Sequence, residues 1–169
     1  ESITISTNVA GGKGGGDLYV SRLEGGRYGQ PENLGDAVNT PGDESTPSVS
    51  ADGRTLLFSR DGDLYASFSG ADGKWRPARP LGEGVNTPAY ELCPLLSPDG
   101  KYLVFLRGWA AYWVDAAVVR DAGSGAGPGE RESPGAVPAA AAPPAGPPAG
   151  QEEAEIRRVI EASIGWALD

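Results

Sequence analysis

Leu34-Gly35-Asp36-Ala37-Val38-Asn39-Thr40-Pro41 returns 47 residues later as Leu81-Gly82-Glu83-Gly84-Val85-Asn86-Thr87-Pro88. The same step carries Glu44 to Glu91, Pro47 to Pro94, Asp52-Gly53 to Asp99-Gly100 and Phe58 to Phe105. Between 31–60 and 78–107, 14 of 30 positions are identical without a gap. A fixed period of this size marks a chain built from stacked copies of one supersecondary unit. Working outward, Asp17-Leu18-Tyr19 matches Asp63-Leu64-Tyr65 at a step of 46, so one residue is inserted in the following loop. A further step of 47 from Tyr65 lands on Tyr112, inside Ala111-Tyr112-Trp113, so a third copy has begun.

Each copy reads as strands. Thr55-Leu56-Leu57-Phe58-Ser59 and Tyr102-Leu103-Val104-Phe105 are short β-rich runs. Asp-Gly pairs stand at 52–53, 61–62, 72–73 and 99–100. Such pairs supply the positive φ angles of tight hairpin turns, and strands so punctuated form an antiparallel meander. The middle copy is expected to hold strands at 45–50, 54–60, 63–68 and 74–80, with loop 81–91 leading to the next copy. A four-stranded meander of about 40–50 residues in tandem is a β-propeller blade. The expected fold is therefore all-β: a partial β-propeller over 1–120, with one complete blade between two partial ones. Residues 3–34 supply the last strands of a preceding blade and 92–116 the first strands of a following one. A ring closes with about four to eight blades, so the chain is expected to be a fragment of a longer protein. It opens on Glu1 and contains no Met, which fits a missing start.

Composition narrows the function. A net charge of −9 argues against nucleic acid as a partner. The absence of His removes the commonest general base and excludes a Ser-His-Asp triad within the chain. The single cysteine, Cys93, cannot form an intrachain disulfide. The most apolar stretch, 102–119, contains Arg107 and Asp115 and reads as buried strands, not a membrane span.

The tail changes character twice. From 121 to 150, 23 of 30 residues are Gly, Pro or Ala, which predicts a disordered linker. From 151 to 169, Ile156, Val159, Ile160, Ile164, Ala167 and Leu168 recur on one helical face. This predicts an amphipathic helix that opens a second, truncated domain.

Asn39, Glu44, Asn86 and Glu91 are polar residues at or before predicted innermost strands. Because they recur in the same frame, they are read with Asp52, Gly53, Asp99 and Gly100 as repeat scaffold, needed by every copy. A ligand site more often breaks a repeat, which directs attention to positions where the copies differ. Tyr90 replaces Asp43, Leu92 replaces Ser45, Cys93 replaces Thr46, and Trp109 stands where the other copy has Gly62. Tyr90 and Trp109 are the candidate partner contacts; packing between blades is the alternative. Cys93 has no basic neighbour and is read as a small buried strand residue. Asp61, Asp63 and Asp72 lack a full oxygen-ligand loop, so no metal is expected. The Gly-rich run 11–16 lacks the Lys-Ser/Thr of a phosphate loop. No cofactor is expected.

Asp63-Leu64-Tyr65, Trp75, Leu81-Gly82, Val85-Asn86-Thr87, Glu91, Pro94 and Ser97-Pro98-Asp99-Gly100-Lys101 together resemble the Pro-Asp, WD-like repeat of TolB-like propeller proteins. The first copy departs from it with Ala51 for Pro98 and Tyr28 for Trp75. The resemblance covers about residues 3–116. It implies a bacterial periplasmic or secreted setting and a non-catalytic protein-binding or scaffold role, with no small-molecule ligand specified. Two alternatives stay open: the propeller portion of a serine hydrolase or peptidase whose catalytic domain lies elsewhere, or an accessory to the C-terminal domain. The helix opening that domain is similar to the first helix of SnoaL-like, nuclear-transport-factor-type domains.

Overall fold

The computed structural model describes residues 1–124, and the linker and amphipathic helix expected beyond them lie outside the described residues. Within 1–124 the chain is mostly β, arranged as three antiparallel sheets in chain order. The second sheet is a plain meander of β5 (Glu44–Val49), β6 (Thr55–Arg60), β7 (Asp63–Phe68) and β8 (Arg79–Pro80). The third contains β9 (Glu91–Leu96), β10 (Tyr102–Arg107) and β11 (Ala110–Asp115). The first holds β1 (Ser2–Thr7) and β2 (Asp17–Glu24), with the short β3 (Arg27–Tyr28) and β4 (Glu32–Asn33) both pairing β2. The 47-residue step maps β4 onto β8, β5 onto β9, β6 onto β10 and β7 onto β11, residue for residue.

The expected strand 74–80 forms only in part. Trp75 makes an isolated bridge to Ser69, and regular pairing resumes at Arg79 and Pro80. Pro77 cannot donate to a ladder, which interrupts the run. One helix was not anticipated: α1 (Ala117–Ser124) follows β11, so residues 121–124 of the expected linker are helical. Asp115 stands just before it and accepts a hydrogen bond from the Ala117 amide at 2.7 Å through Oδ1, in the manner of an N-cap.

β6 explains why the repeat reads as an apolar run. Both its faces are covered, so residues of both parities are apolar. Leu56 and Phe58 belong to a cluster with Leu18 and Val38, joining the first and second sheets. Leu57 belongs to another with Leu64, Val85, Leu103 and Phe105, joining the second and third. Val119 of α1 is buried in this second cluster. Trp75 packs against the first cluster, and Ala122, one step of 47 later, packs against the second. The helix thus covers, beside the third sheet, the ground that the segment before β8 covers beside the second. Among the described residues no helix is long and apolar enough to cross a membrane.

Candidate functional site

The loop that joins the first sheet to the second is held from both sides by polar groups. Asn39 is buried. Its Oδ1 accepts from the Leu18 amide at 2.8 Å, and its Nδ2 donates to the Leu18 carbonyl at 2.9 Å. One side chain thereby satisfies both backbone groups of a strand residue. Glu44, fully buried at the start of β5, accepts from the Thr40 hydroxyl at 2.6 Å and the Thr40 amide at 3.0 Å. Arg60 on β6 completes the latch: Nε donates to Glu44 Oε1 at 2.7 Å and Nη2 to the Val38 carbonyl at 2.7 Å. Its guanidinium lies 4.3 Å from the Tyr65 ring centroid, a cation–π arrangement.

The second loop repeats every one of these contacts. Asn86 clamps the Leu64 amide and carbonyl at 2.8 and 3.1 Å. Glu91 accepts from Thr87 Oγ1 at 2.6 Å and from the Thr87 amide at 3.1 Å. Arg107 Nε donates to Glu91 at 2.8 Å, its Nη2 donates to the Val85 carbonyl at 2.7 Å, and its guanidinium lies 4.8 Å from the Tyr112 ring. Every hydrogen-bonding atom of these carboxylates and amides is engaged by the fold itself. Arg60, Arg107, Thr40 and Thr87 carry no site role in the sequence reading, although the 47-residue identity contains all four.

Asp52 and Asp99 serve their own turns. The Ser50 hydroxyl donates to Asp52 Oδ1 at 2.6 Å and the Arg54 amide at 3.0 Å, and Gly53 takes φ 71°. The Ser97 hydroxyl and the Lys101 amide hold Asp99 in the same way, at 2.6 and 3.2 Å, with Gly100 at φ 68°. These bonds favour the carboxylate form. The Asp52 carboxyl is lowered by Ser50 first and the Arg54 amide second, and the Asp99 carboxyl falls to about 2 for the matching reasons.

Two of the divergent positions, Tyr90 and Trp109, lie close together, just before β9 and at the turn between β10 and β11. Tyr90 and Trp109 are both exposed, Trp109 fully, and the Gly108 amide donates to the Tyr90 carbonyl at 3.1 Å. In the second sheet the Asp61 amide donates to the Asp43 carbonyl at 3.2 Å in the equivalent place. Asp61 and Gly108 even share the same left-handed φ, 50° and 58°. The backbone arrangement that joins Asp43 to Asp61 in one unit joins Tyr90 to Gly108 in the next, with Trp109 following where the earlier unit has Gly62. Nearby, the Asp63 carboxyl is pushed up by burial first, then by the Glu91 and Asp61 charges. Asp72 is at the opposite end of β7, where it accepts from the Lys74 amide at 3.2 Å, so the three aspartates do not converge.

Cys93 corrects an expectation: it is exposed, not buried. It occupies a β-bulge with φ 53°, matched by Thr46 at φ 47°, and its amide donates to Thr46 Oγ1 at 3.0 Å. The bulge turns the side chain out of the strand's alternation.

No family model matches the chain, and no curated protein matches it.

Proposed function

We propose that residues 1–124 are blades of a TolB-like β-propeller serving as a non-catalytic protein-binding module in a bacterial envelope or secreted protein. The observation that carries this reading is the duplicated latch. Asn39, Glu44 and Arg60 and their counterparts Asn86, Glu91 and Arg107 are saturated by contacts within the repeat. Polar groups so engaged hold blades in order and leave recognition to what varies between them. The varying positions present Tyr90 and Trp109, large amphipathic rings of the kind that dominate binding hot spots.

A photocrosslinking residue at position 109 of the full-length protein, exposed to a bacterial envelope fraction, tests it. The expected result is one discrete protein adduct that disappears with Tyr90→Ala. Adducts that are diffuse, or that form equally with a crosslinker at exposed Glu24, would count against the reading.

A further inference from the structure

One carboxylate position is treated differently in the first two sheets. Asp17 opens β2 and Asp63, its counterpart in the repeat, opens β7. Asp17 is buried and satisfied: its Oδ2 accepts from the Lys13 amide at 2.8 Å and from Asn33 Nδ2 at 2.9 Å, and its Oδ1 accepts from the Gly14 amide at 3.2 Å. The second sheet has lost these donors. Its turn shrinks to Asp61-Gly62, and Pro80 stands where the step of 47 from Asn33 falls. Among the described residues no hydrogen bond or ion pair holds Asp63. Burial first, then the Glu91 and Asp61 charges, push its carboxyl up.

The residue seated over the neighbouring glycine changes at the same place. The Glu44 amide donates to the Gly16 carbonyl at 2.8 Å, and a Cβ on Gly16 would lie 2.6 Å from Asp43 Oδ1. One unit on, the Glu91 amide donates to the Gly62 carbonyl at 2.7 Å, and the group lying over Gly62 is the Tyr90 ring. Asp43 precedes β5, which has β1 on one side and β9 on the other, and it is still exposed. This position therefore stays open to solvent between neighbouring sheets, and Tyr90 is exposed in the same frame. Asp61, also exposed, accepts from the Asp43 amide at 3.0 Å. The nearest cations are already engaged, Arg60 with Glu44 and Arg107 with Glu91.

We propose that Tyr90, Asp61 and Asp63 form the seat for an arginine side chain of a protein partner, its guanidinium lying on the Tyr90 ring and its N–H groups donating to the carboxylates. The inference rests on the reading of Tyr90 as a partner contact and supplies the chemistry of that partner. The fold itself makes the same combination twice. The Arg60 guanidinium lies 4.3 Å from the Tyr65 ring centroid while donating to Glu44, and that of Arg107 lies 4.8 Å from the Tyr112 centroid while donating to Glu91. Arginine suits the place better than lysine because its planar, weakly hydrated fork stacks on a ring and bonds carboxylates at once. The net charge of −9 favours approach of a basic surface. An arginine here relieves the repulsion among Asp61, Asp63 and Glu91, which the first sheet avoids by supplying donors to Asp17.

The probes are N-acetyl-arginine amide, its lysine analogue and its uncharged citrulline analogue, each titrated into the full chain and read from the Gly62 amide and Tyr90 ring resonances. Saturable shifts are expected with arginine, weaker binding with lysine and none with citrulline. Asp63→Asn and Tyr90→Ala should each weaken the arginine probe by about threefold or more, while Glu24→Gln at the far end of β2 leaves it unchanged. Asp63→Asn removes a carboxylate that burial disfavours, so lost binding there is not lost folding. The inference is overturned by the absence of saturable shifts, by lysine or citrulline binding as well as arginine, or by wild-type binding in Asp63→Asn. Crosslinking from position 109 separates it from the reading beneath it: an adduct formed equally by Asp63→Asn overturns the arginine seat alone, and no adduct with any variant overturns both.

Discussion

Arg60 reaches from β6 to the fully buried carboxylate of Glu44, Nε to Oε1 at 2.7 Å, and in doing so also holds the carbonyl of Val38. The carboxylate is fully shielded, and the Arg60 side chain is only 15% exposed. Breaking such a pair from one side leaves a buried charge or a stranded donor, which costs about 3–5 kcal/mol. Glu44→Ala is therefore expected to lower stability by that order in urea unfolding, and Glu91→Ala similarly. Arg60→Met combined with Glu44→Gln should recover a substantial part of the loss. Equal stability of Glu44→Ala and wild type would refute the latch.

The Asn clamp makes a sharper demand, because both ends of the amide are used. Asn39→Ala leaves the Leu18 amide and carbonyl without these partners, for about 1–3 kcal/mol per buried group. Asn39→Asp keeps the acceptor and loses the donor, setting a carboxylate against the Leu18 carbonyl. It should be no better than Ala above the carboxyl pKa and recover toward acid pH. A pH-independent Asp variant would contradict the donor assignment.

Gly62 stands at φ 94°, and a Cβ there would lie 2.5 Å from Cδ1 of Tyr90. Gly62→Ala thus meets both backbone strain and a steric clash, together about 1–3 kcal/mol. The double variant Gly62→Ala/Tyr90→Ala should regain the steric part only. Thermal unfolding of the three variants separates the two contributions, and strict additivity would show that the ring moves aside freely.

The aspartates predict opposite limbs of the pH–stability profile. Asp63 has its folded-state pKa raised by burial, then by Glu91 and Asp61. Its contribution is most favourable below the ordinary 3.8 and is lost as pH rises through the folded value. Asp63→Asn should therefore gain stability at neutral pH relative to wild type and show no gain near pH 3. Asp99, lowered to about 2, contributes above 3.8, and that contribution disappears as pH falls toward 2. Asp99→Asn should flatten that acid limb. Denaturant midpoints across pH 2–7 check both signs, and the same direction for both variants would contradict the assignment.

Much of this arrangement was legible from one chain because the repeat is its own alignment. Identity at Leu56, Phe58, Leu103 and Phe105 located the central strands, and Asp-Gly located their turns. What escaped were features decided by tertiary context. Arg60 and Arg107 look like the polar ends of strands until the buried acids appear beside them. Cys93 follows strand alternation in the sequence, yet the bulge after Leu92 turns it outward. Helix α1 is short, and Asp121, Gly123 and Ser124 near its end carry weak helix propensity. Its place comes from Val119 meeting the apolar cluster, a gain no local signal records.

The serines between sheets extend the same logic to how the molecule comes apart. Ser6 Oγ donates to the Glu44 carbonyl at 2.6 Å and Ser59 Oγ to the Glu91 carbonyl at 2.8 Å, so each latch acid is tied to the sheet before it as well as to its own. Neighbouring units therefore share directional bonds in addition to apolar area. In a linear array, strong coupling between neighbours relative to each unit's own stability merges separate transitions into one. Losing one sheet would strand the latch of the next, so the three sheets should melt as a single cooperative block, and a proteolytic nick at one turn would release the others with it.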